Sequence, residues 1–364
     1  MDCMNVMEID TVDIDLEKNA VVIIDQTKLP NEVVLKNLRD PKEIWEAIYK
    51  LEVRGAPAIG VAAAFGIFVI AKDLTDSCKD EAAFFEMFAQ QKEYLNSSRP
   101  TAVNLSWALN RMEACLNAHK GESRENQLLA LQKEAIEIRD EDIRVCKKIG
   151  EYGVELLKDG DGVLTHCNAG KLATIRYGTA TSPIYVAKER GMNLRVYCDE
   201  TRPLLQGARL TSFELFESGI DTTLLCDNMS AALMKQGKVN VIFVGCDRVA
   251  ANGDTANKIG TSVVATVAAR YGVPVYIAAP TSTIDMNCAS GDDIVIEQRD
   301  GKEVTDMWYE KPMAPKGVKV FNPAFDVTDH ELIAGIVTEY GIARAPYTDS
   351  LKEIFKKKKE MRLS

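Results

Sequence analysis

Histidine is scarce in this 364-residue chain: there are three, His119, His166 and His330, and they lie far apart. None of the nine cysteines falls in a C-x-x-C pair. Neither a zinc framework nor a disulfide scaffold is expected, and most of the thiols read as small buried hydrophobes. Positive charge is short as well, 44 Lys and Arg against 54 Asp and Glu, and the net charge of −10 disfavours a nucleic-acid surface. The basic end, KKKKEMRLS, reads as a solvated tail. Long apolar runs are missing too. Ile59 to Ala71 is broken by glycines and falls short of the ~20 residues that cross a bilayer, so it reads as a core helix. The acidic start has no basic segment followed by an apolar one, and a cytoplasmic protein with no membrane partner is expected.

What is present is an ordinary globular composition, 46% hydrophobic and 27% charged, at a length that suggests two domains. Residues 20–29 read as a short strand, and a helix is expected from Pro41, whose fixed φ suits a first turn. Small residues crowd the segment after Arg54 and predict a tightly packed helix; further helical patterns follow at 80–95, 101–118 and 125–158. The polar stretch around 118–126 is the best candidate boundary. It gives a mainly helical N-terminal domain with a small sheet over 1–125, then a second domain over 126–364 entered through a linking helix at about 126–158. From 162 onward strands alternate with helices: DGVLTHCN, NLRVYCDE, IDTTLLCD, VNVIFVGCD and PVYIAAPTS. Such alternation builds a Rossmann-like, doubly wound parallel sheet, so the chain is α/β. Residues 281–320 are irregular and charged, a loop long enough to be functional or to cover the sheet. Beyond it Thr328 stands three residues before Glu331, a capping-box spacing, and a last helix is expected there.

Candidate chemistry gathers at the strand ends. Asp247 follows a buried strand, and the Asn257-Lys258 pair, read as opening the next helix, offers an amide, backbone N–H groups and a cation to a phosphate. Cys167 sits at a turn read as leading into a helix, a setting that lowers thiol pKa values, although a cysteine after a strand is more often inert packing. His166 reads as a hydrogen-bonded core residue. Asp199, Glu200, Arg202 and Arg209 either contact hydroxyls and phosphate or brace a loop, and Asp227 or Asn228 reads as a helix cap. Arg54-Gly55-Ala56-Pro57 and the stretch Ser97–Thr101 each suit an anion, against the plainer reading of a salt-bridged loop. GDTANK is neither a Walker loop nor a GxGxxG fingerprint, so a nucleotide or dinucleotide is poorly supported and a sugar phosphate fits better.

Six ordered stretches, VRGAPAIGVAAAFG (53–66), SRPTAVNLSWAL (98–109), LTHCNAG (164–170), DETRPLLQGARLTSFEL (199–215), GCDRVAANGDTANKIGT (245–261) and AAPTSTID (278–285), closely resemble the methylthioribose-1-phosphate isomerase family. The likeness runs from about residue 14 to residue 350. That fold is shared with regulatory subunits of translation initiation factor 2B and with ribose-1,5-bisphosphate isomerases, so fold alone does not settle activity. The resemblance implies Cys167 and Asp247 as the catalytic pair, and substrate or phosphate contacts at Arg54, Gly55, Ala56, Arg99, Gln206, Asn257 and Lys258. It also implies a homodimer through the sheet domain. Small departures from the family pattern fall at Ser106, Cys246 and Ser262.

The expected reaction turns 5-methylthioribose 1-phosphate into 5-methylthioribulose 1-phosphate, a step of methionine salvage. Because the anomeric oxygen is esterified, the ring cannot open unaided. A protonated Asp247 would donate to the ring oxygen, which needs a low-dielectric pocket to raise its pKa. Cys167 would then take the C2 proton; a hydride shift from C2 to C1 is equally compatible. No cofactor and no metal is expected. Closure of the N-terminal part onto the sheet would bring Arg54 and Arg99 to the phosphate. The C5 substituent is expected to face the helix carrying Val61 to Phe65, or the Trp107 region. Alternatives are 5-deoxyribose 1-phosphate or ribose 1,5-bisphosphate as substrate, a non-catalytic subunit of a guanine-nucleotide exchange factor, and a dehydrogenase, which the absent glycine fingerprint disfavours.

Overall fold

The computed structural model describes residues 6–78, 80–100 and 102–361; Thr101 and the last three residues of the basic end lie outside the described residues. The chain folds as two compact units. One runs to Arg144 and also takes Lys171–Arg176; the other holds Val145–Gly170 and everything from Tyr177 onward.

The first unit contains the antiparallel strands β1 (Val12–Asp15), β2 (Ala20–Ile24) and β3 (Leu35–Leu38). Five helices follow: α1 (Pro41–Tyr49), α2 (Ala56–Ser77), α3 (Glu81–Asn96), α4 (Val103–Ala118) and α5 (Arg124–Gly153). Asp40 and Glu43 close a capping box at the start of α1, with Pro41 at its first position. Such a cap contributes about 1 kcal/mol. Helix α2 is longer than the apolar run suggests: Ala56–Thr75 has the length and composition to cross a membrane, yet 78% of the window is buried inside the protein. It is the core helix of this unit, and burying each of Phe65 and Phe68 stabilises it by roughly 1.5–3 kcal/mol. Val61 and Phe65 are buried in that core. The division between the units falls inside α5, between Arg144 and Val145. Leu131, Ala135 and Ile138 on its first half are buried in the first core.

In the second unit a seven-stranded sheet is built from β4 (Gly162–Thr165), β5 (Arg195–Asp199), β6 (Asp221–Leu225), β7 (Val241–Val244), β10 (Val275–Ala278), β13 (Gly335–Thr338) and β14 (Gly341–Ala343). Its order is β14-β13-β10-β7-β4-β5-β6, parallel except for the hairpin partner β14. The five expected strands form a contiguous run, β10-β7-β4-β5-β6, that ends at the β6 edge. Helices α6 (Ser182–Glu189) and α7 (Ser212–Glu217) bury Ile184, Ala187 and Leu215 on one face. Helices α8 (Ser230–Lys235), α9 (Thr261–Tyr271) and α11 (Tyr347–Met361) bury Met234, Val264 and Leu351 on the other. The sheet is therefore doubly wound.

Three expectations are corrected here. The capping-box spacing at Thr328 starts no helix: β12 (Phe325–Thr328) ends there, and the chain continues through a single turn into β13 and β14. Ile336 and Val337 are wholly buried in the sheet, and that burial outweighs the local helix signal. The basic run Lys356–Lys359 belongs to α11, which docks through Tyr347, Leu351 and Ile354. Finally, Asn257 and Lys258 open no helix. They lie on β9 (Thr255–Lys258), which pairs with β8 (Arg248–Ala250) and β12 in a second sheet completed by β11 (Ile284–Asp285). The 281–320 segment otherwise holds the short helix α10 (Lys302–Thr305).

Candidate active site

In this sheet the chain leaves β4 toward β5 and β6, then returns to place β7 on the other side of β4. The gap between β4 and β7 is thus a topological switch point, and ligands of doubly wound sheets bind outside the strands' carboxyl ends at such a point. Cys167 stands two residues past β4, and Asp247 three residues past β7. The switch point is flanked by the two expected catalytic side chains.

Cys167 is nearly buried and its φ of 65° lies in the left-handed region, which a non-glycine residue enters at a cost of about 1–3 kcal/mol. Two hydroxyls hold it there. Its N–H donates to Thr201 Oγ1 at 2.8 Å, and its carbonyl accepts from Thr211 Oγ1 at 2.6 Å. Thr201 itself has φ 66°, and Asp227 fixes that loop by accepting from the N–H groups of Thr201 and Arg202, both at 2.7 Å. Asp227 therefore anchors the neighbouring strand's loop, where a helix cap was expected. Nor does Cys167 open a helix, since α6 begins only at Ser182. Gln206 is buried at the start of a π-turn spanning Gly207–Thr211, a local widening common at functional sites.

Three other thiols near these strand ends are poor nucleophiles. Burial pushes Cys246 up to about 12 and Cys198 well above the ordinary thiol range, and the Glu200 carboxylate raises Cys226. Cys246 shares a hydrogen bond with Thr283 Oγ1, Ser106 donates to Asn96, and Ser262 donates to Asp326; each departure from the family pattern is absorbed locally.

Asp247 is exposed, and its N–H donates to Ala256 O at 2.9 Å, tying the end of β7 to β9. Asn257 is buried and donates to Thr261 Oγ1; Lys258 Nζ donates to Ala324 O at 3.0 Å and lies 4.3 Å from the Phe325 ring centroid. His166 is a core residue as expected, hydrogen-bonded to Asp199 and to Ile259 O. Arg202 donates to Val304 O, and Arg209 stacks 5.0 Å over Trp308, so both guanidinium groups brace the 300–310 segment. A cleft of about 170 Å³ lies there, lined by Arg202, Pro203, Ile259, Val304 and Phe321.

In the first unit, Arg54, Gly55 and Ala56 lead into α2. Gly55 has φ 89°, and a Cβ on it would lie 2.3 Å from Ala173 O, so only glycine fits. Gly60 of α2 packs against Asn104 and Ala108 of α4, and Arg99 lies in the loop before α4.

Comparison with known proteins extends this picture. A model of the initiation factor 2 subunit family matches residues 52–345. A methylthioribose-1-phosphate isomerase from Symbiobacterium thermophilum is 60% identical over 353 residues, covering 97% of this chain and 98% of that one. The chain belongs to the methylthioribose-1-phosphate isomerase family. A 5-deoxyribose 1-phosphate isomerase from Petrotoga mobilis is 54% identical over 338 residues, with 93% and 96% covered. Among solved structures, 5-methylthioribose 1-phosphate isomerase from Pyrococcus horikoshii OT3 superposes with a TM-score of 0.91 at 42% identity, covering 96% of both chains. A structure described as translation initiation factor eIF-2B subunit delta from A. fulgidus gives 0.89 at 41% identity, covering 96% of this chain and 99% of that one. The family's fold thus carries both kinds of name, and the strand-end chemistry has to separate them.

Proposed function

We propose that this chain is an aldose–ketose isomerase converting 5-methylthioribose 1-phosphate to 5-methylthioribulose 1-phosphate in methionine salvage, with Asp247 and Cys167 as the reacting pair. The observation that carries this reading is the strained Cys167 backbone, clamped by Thr201 and Thr211 across the switch point from Asp247. Asp247 gives a proton to the ring oxygen as the bond from that oxygen to C1 breaks. Cys167, as thiolate, takes the C2 proton and returns it to C1 through an enol phosphate, and the C2 hydroxyl proton restores Asp247. Every proton is conserved and no net redox change occurs. A hydride passing directly from C2 to C1 gives the same balance. Since Asp247 is exposed, bound substrate must supply the desolvation that keeps its carboxyl protonated. Arg54, Gly55, Ala56, Arg99, Gln206, Asn257 and Lys258 are the proposed binding residues for the sugar and its phosphate.

The test is kcat/KM on 5-methylthioribose 1-phosphate, 5-deoxyribose 1-phosphate and ribose 1,5-bisphosphate, with Asp247→Asn and Cys167→Ser alongside. Each variant should lose on the order of 10²–10⁴-fold. Turnover of both at the wild-type rate would defeat the role assignment, and no turnover of any substrate by the wild type would favour a regulatory subunit. Equal use of the first two substrates would favour the second reading, a shared 5-deoxypentose activity, which the Petrotoga relative's name supports. A pocket that must distinguish groups of this size does so by only ~1–3 kcal/mol.

The protein is also proposed to be a cytoplasmic homodimer. Strand β6 ends the sheet, and Phe216 and Leu224 are exposed on α7 and β6. An uncovered edge with apolar neighbours is a surface that a second copy could cover. Light scattering coupled to gel filtration should give twice the monomer mass; a monomer would overturn it.

A further inference from the structure

His166 and Asp199 form a pair with side chains wholly buried behind the Cys167 turn, and no step of the reaction above uses them. Nδ1 of His166 lies 3.1 Å from Asp199 Oδ2, and Nε2 lies 2.9 Å from the carbonyl oxygen of Ile259. A carbonyl only accepts, so Nε2 must carry a proton. The other contact joins Nδ1 to a carboxyl oxygen and needs a proton as well, held by either partner. The pair therefore holds two protons and is electrically neutral, as imidazolium with carboxylate or as imidazole with carboxylic acid. Asp199 Oδ1 is buried without a hydrogen-bond partner, a costly place for an uncompensated negative charge.

What the pair joins gives it a purpose. His166 immediately precedes Cys167. Asp199 ends β5 and its own carbonyl accepts from Thr201 Oγ1, the hydroxyl that receives the Cys167 N–H. Ile259 immediately follows Asn257 and Lys258, and Gly260 packs against the imidazole: a Cβ there would be 2.8 Å from His166 Cε1. One imidazole thus ties the candidate base, the loop that clamps it and the candidate phosphate arm into a single register. We propose that His166 and Asp199 share one buried proton and act as positioning residues, holding Cys167 and the Asn257–Lys258 arm in fixed relation.

This inference rests on the roles proposed for Cys167 and Lys258, and its charge bookkeeping is local. The charged groups reaching the pair are Asp227, beyond β6, and Glu200, at the end of β5; the 259–260 turn offers only a carbonyl and a glycine. Burial alone would lower His166, but the Asp199 hydrogen bond and charge outweigh it and the imidazole binds its proton more tightly than usual. Burial raises Asp199, with His166 opposing. Both shifts favour keeping the shared proton.

The test combines four variants with ¹⁵N-histidine NMR, which is tractable because the chain has three histidines and His166→Gln identifies the signal. The expected spectrum shows a protonated Nε2 at neutral pH and a Nδ1 that is protonated or accepts a strong hydrogen bond. A bare Nε2, or a Nδ1 free of any hydrogen bond, would overturn the proposal. Asp199→Asn can donate an amide N–H to Nδ1, keeping the bonds and the neutrality, so kcat/KM should fall less than about tenfold. Asp199→Leu breaks the bond; a displacement of about 1 Å at the reacting groups costs on the order of a hundredfold. Part of that loss should appear as a raised KM, because the arm moves with Ile259. An Asn variant as inactive as the Leu variant would show that the titratable proton itself is required, and a Leu variant with wild-type kcat and KM would show that the pair is idle; either result rejects the proposal. If Asp199→Leu does not fold, the spectrum and the Asn variant still decide. Cys167→Ser separates the two readings: should it retain full turnover, the base assignment falls, while the spectrum still reports on the pair.

Discussion

Gly207→Ala tests whether close backbone packing holds the site. Gly207 begins the π-turn after Gln206, and a Cβ built on it would fall 1.7 Å from Asp199 O and 2.9 Å from Thr201 Oγ1. Neither atom is a flexible chain end: one is the backbone of β5, the other the hydroxyl that clamps Cys167. Apolar contacts are comfortable near 3.5 Å, so β5 and the turn must separate by roughly 1.5 Å or more. Overpacking of this kind costs about 1–3 kcal/mol, which lowers Tm by about 2–12 °C in a unit of this size. The displacement falls on Asp199, Thr201 and Gln206, so kcat/KM should drop by on the order of a hundredfold. The control is Gly191→Ala, at a glycine with φ 76° and nothing within 4 Å of the added carbon. It should lose only the conformational term of about 1 kcal/mol and keep full activity. Thermal melts and steady-state kinetics on the three proteins decide. Wild-type activity and Tm for Gly207→Ala would refute the claim that these two backbones are locked together.

Gly55→Ala should lower Tm by several degrees, because a φ of 89° and an Ala173 oxygen 2.3 Å from the new carbon oppose it together; an unchanged melt would contradict the positive-φ reading. Asp254 is raised by burial but lowered more by the N–H groups of Gly291 and His330, by Asn252 and by the His330 ring, and stands at about 2. Its contribution of about 2 kcal/mol is present above the unfolded value near 4 and lost as pH falls toward 2, so Asp254→Asn should destabilise at pH 7 and lose that deficit under acid, as urea melts at both pH values would show. His166 and Asp199 are both raised, so the folded chain holds their proton more tightly than the unfolded chain does. Stability from this source is complete below the ordinary histidine value and is lost as pH rises through the folded one; Tm of the wild type should fall more steeply than that of Asp199→Asn above neutral pH.

The strands at the sheet's centre were legible because each is an apolar run bounded by turn residues, and because burial on both faces leaves no ambiguity of side. Strand β9 was not. Its residues, Thr255, Ala256, Asn257 and Lys258, show no apolar alternation, and its partner β12 begins 67 residues after it ends. Strand β13 carried a local helix signal that only its burial between β10 and β14 overrides. The same distinction runs through the site. Cys167 and Asp247 stood out as candidates because each follows its own strand in the sequence, and their pairing came from the resemblance to the isomerase family. What holds them could not, because it depends on residues brought together from separate stretches: Thr201 and Thr211 on the backbone of Cys167, and Asp199 on His166 across 33 positions. Local sequence marks candidate groups, whereas the hydrogen bonds that fix a strained residue come from neighbouring strands, and strand order is decided by the whole sheet. Asp199 illustrates the consequence. Beside Glu200, Arg202 and Arg209 it reads as a candidate ligand for hydroxyls or phosphate, yet folding turns its carboxyl inward to an imidazole and leaves the two arginines bracing a surface segment. The charge pattern was visible in the sequence, but its division between a buried proton-sharing pair and a surface brace follows from the placement of β5 beside β4, which sets one carboxyl against His166.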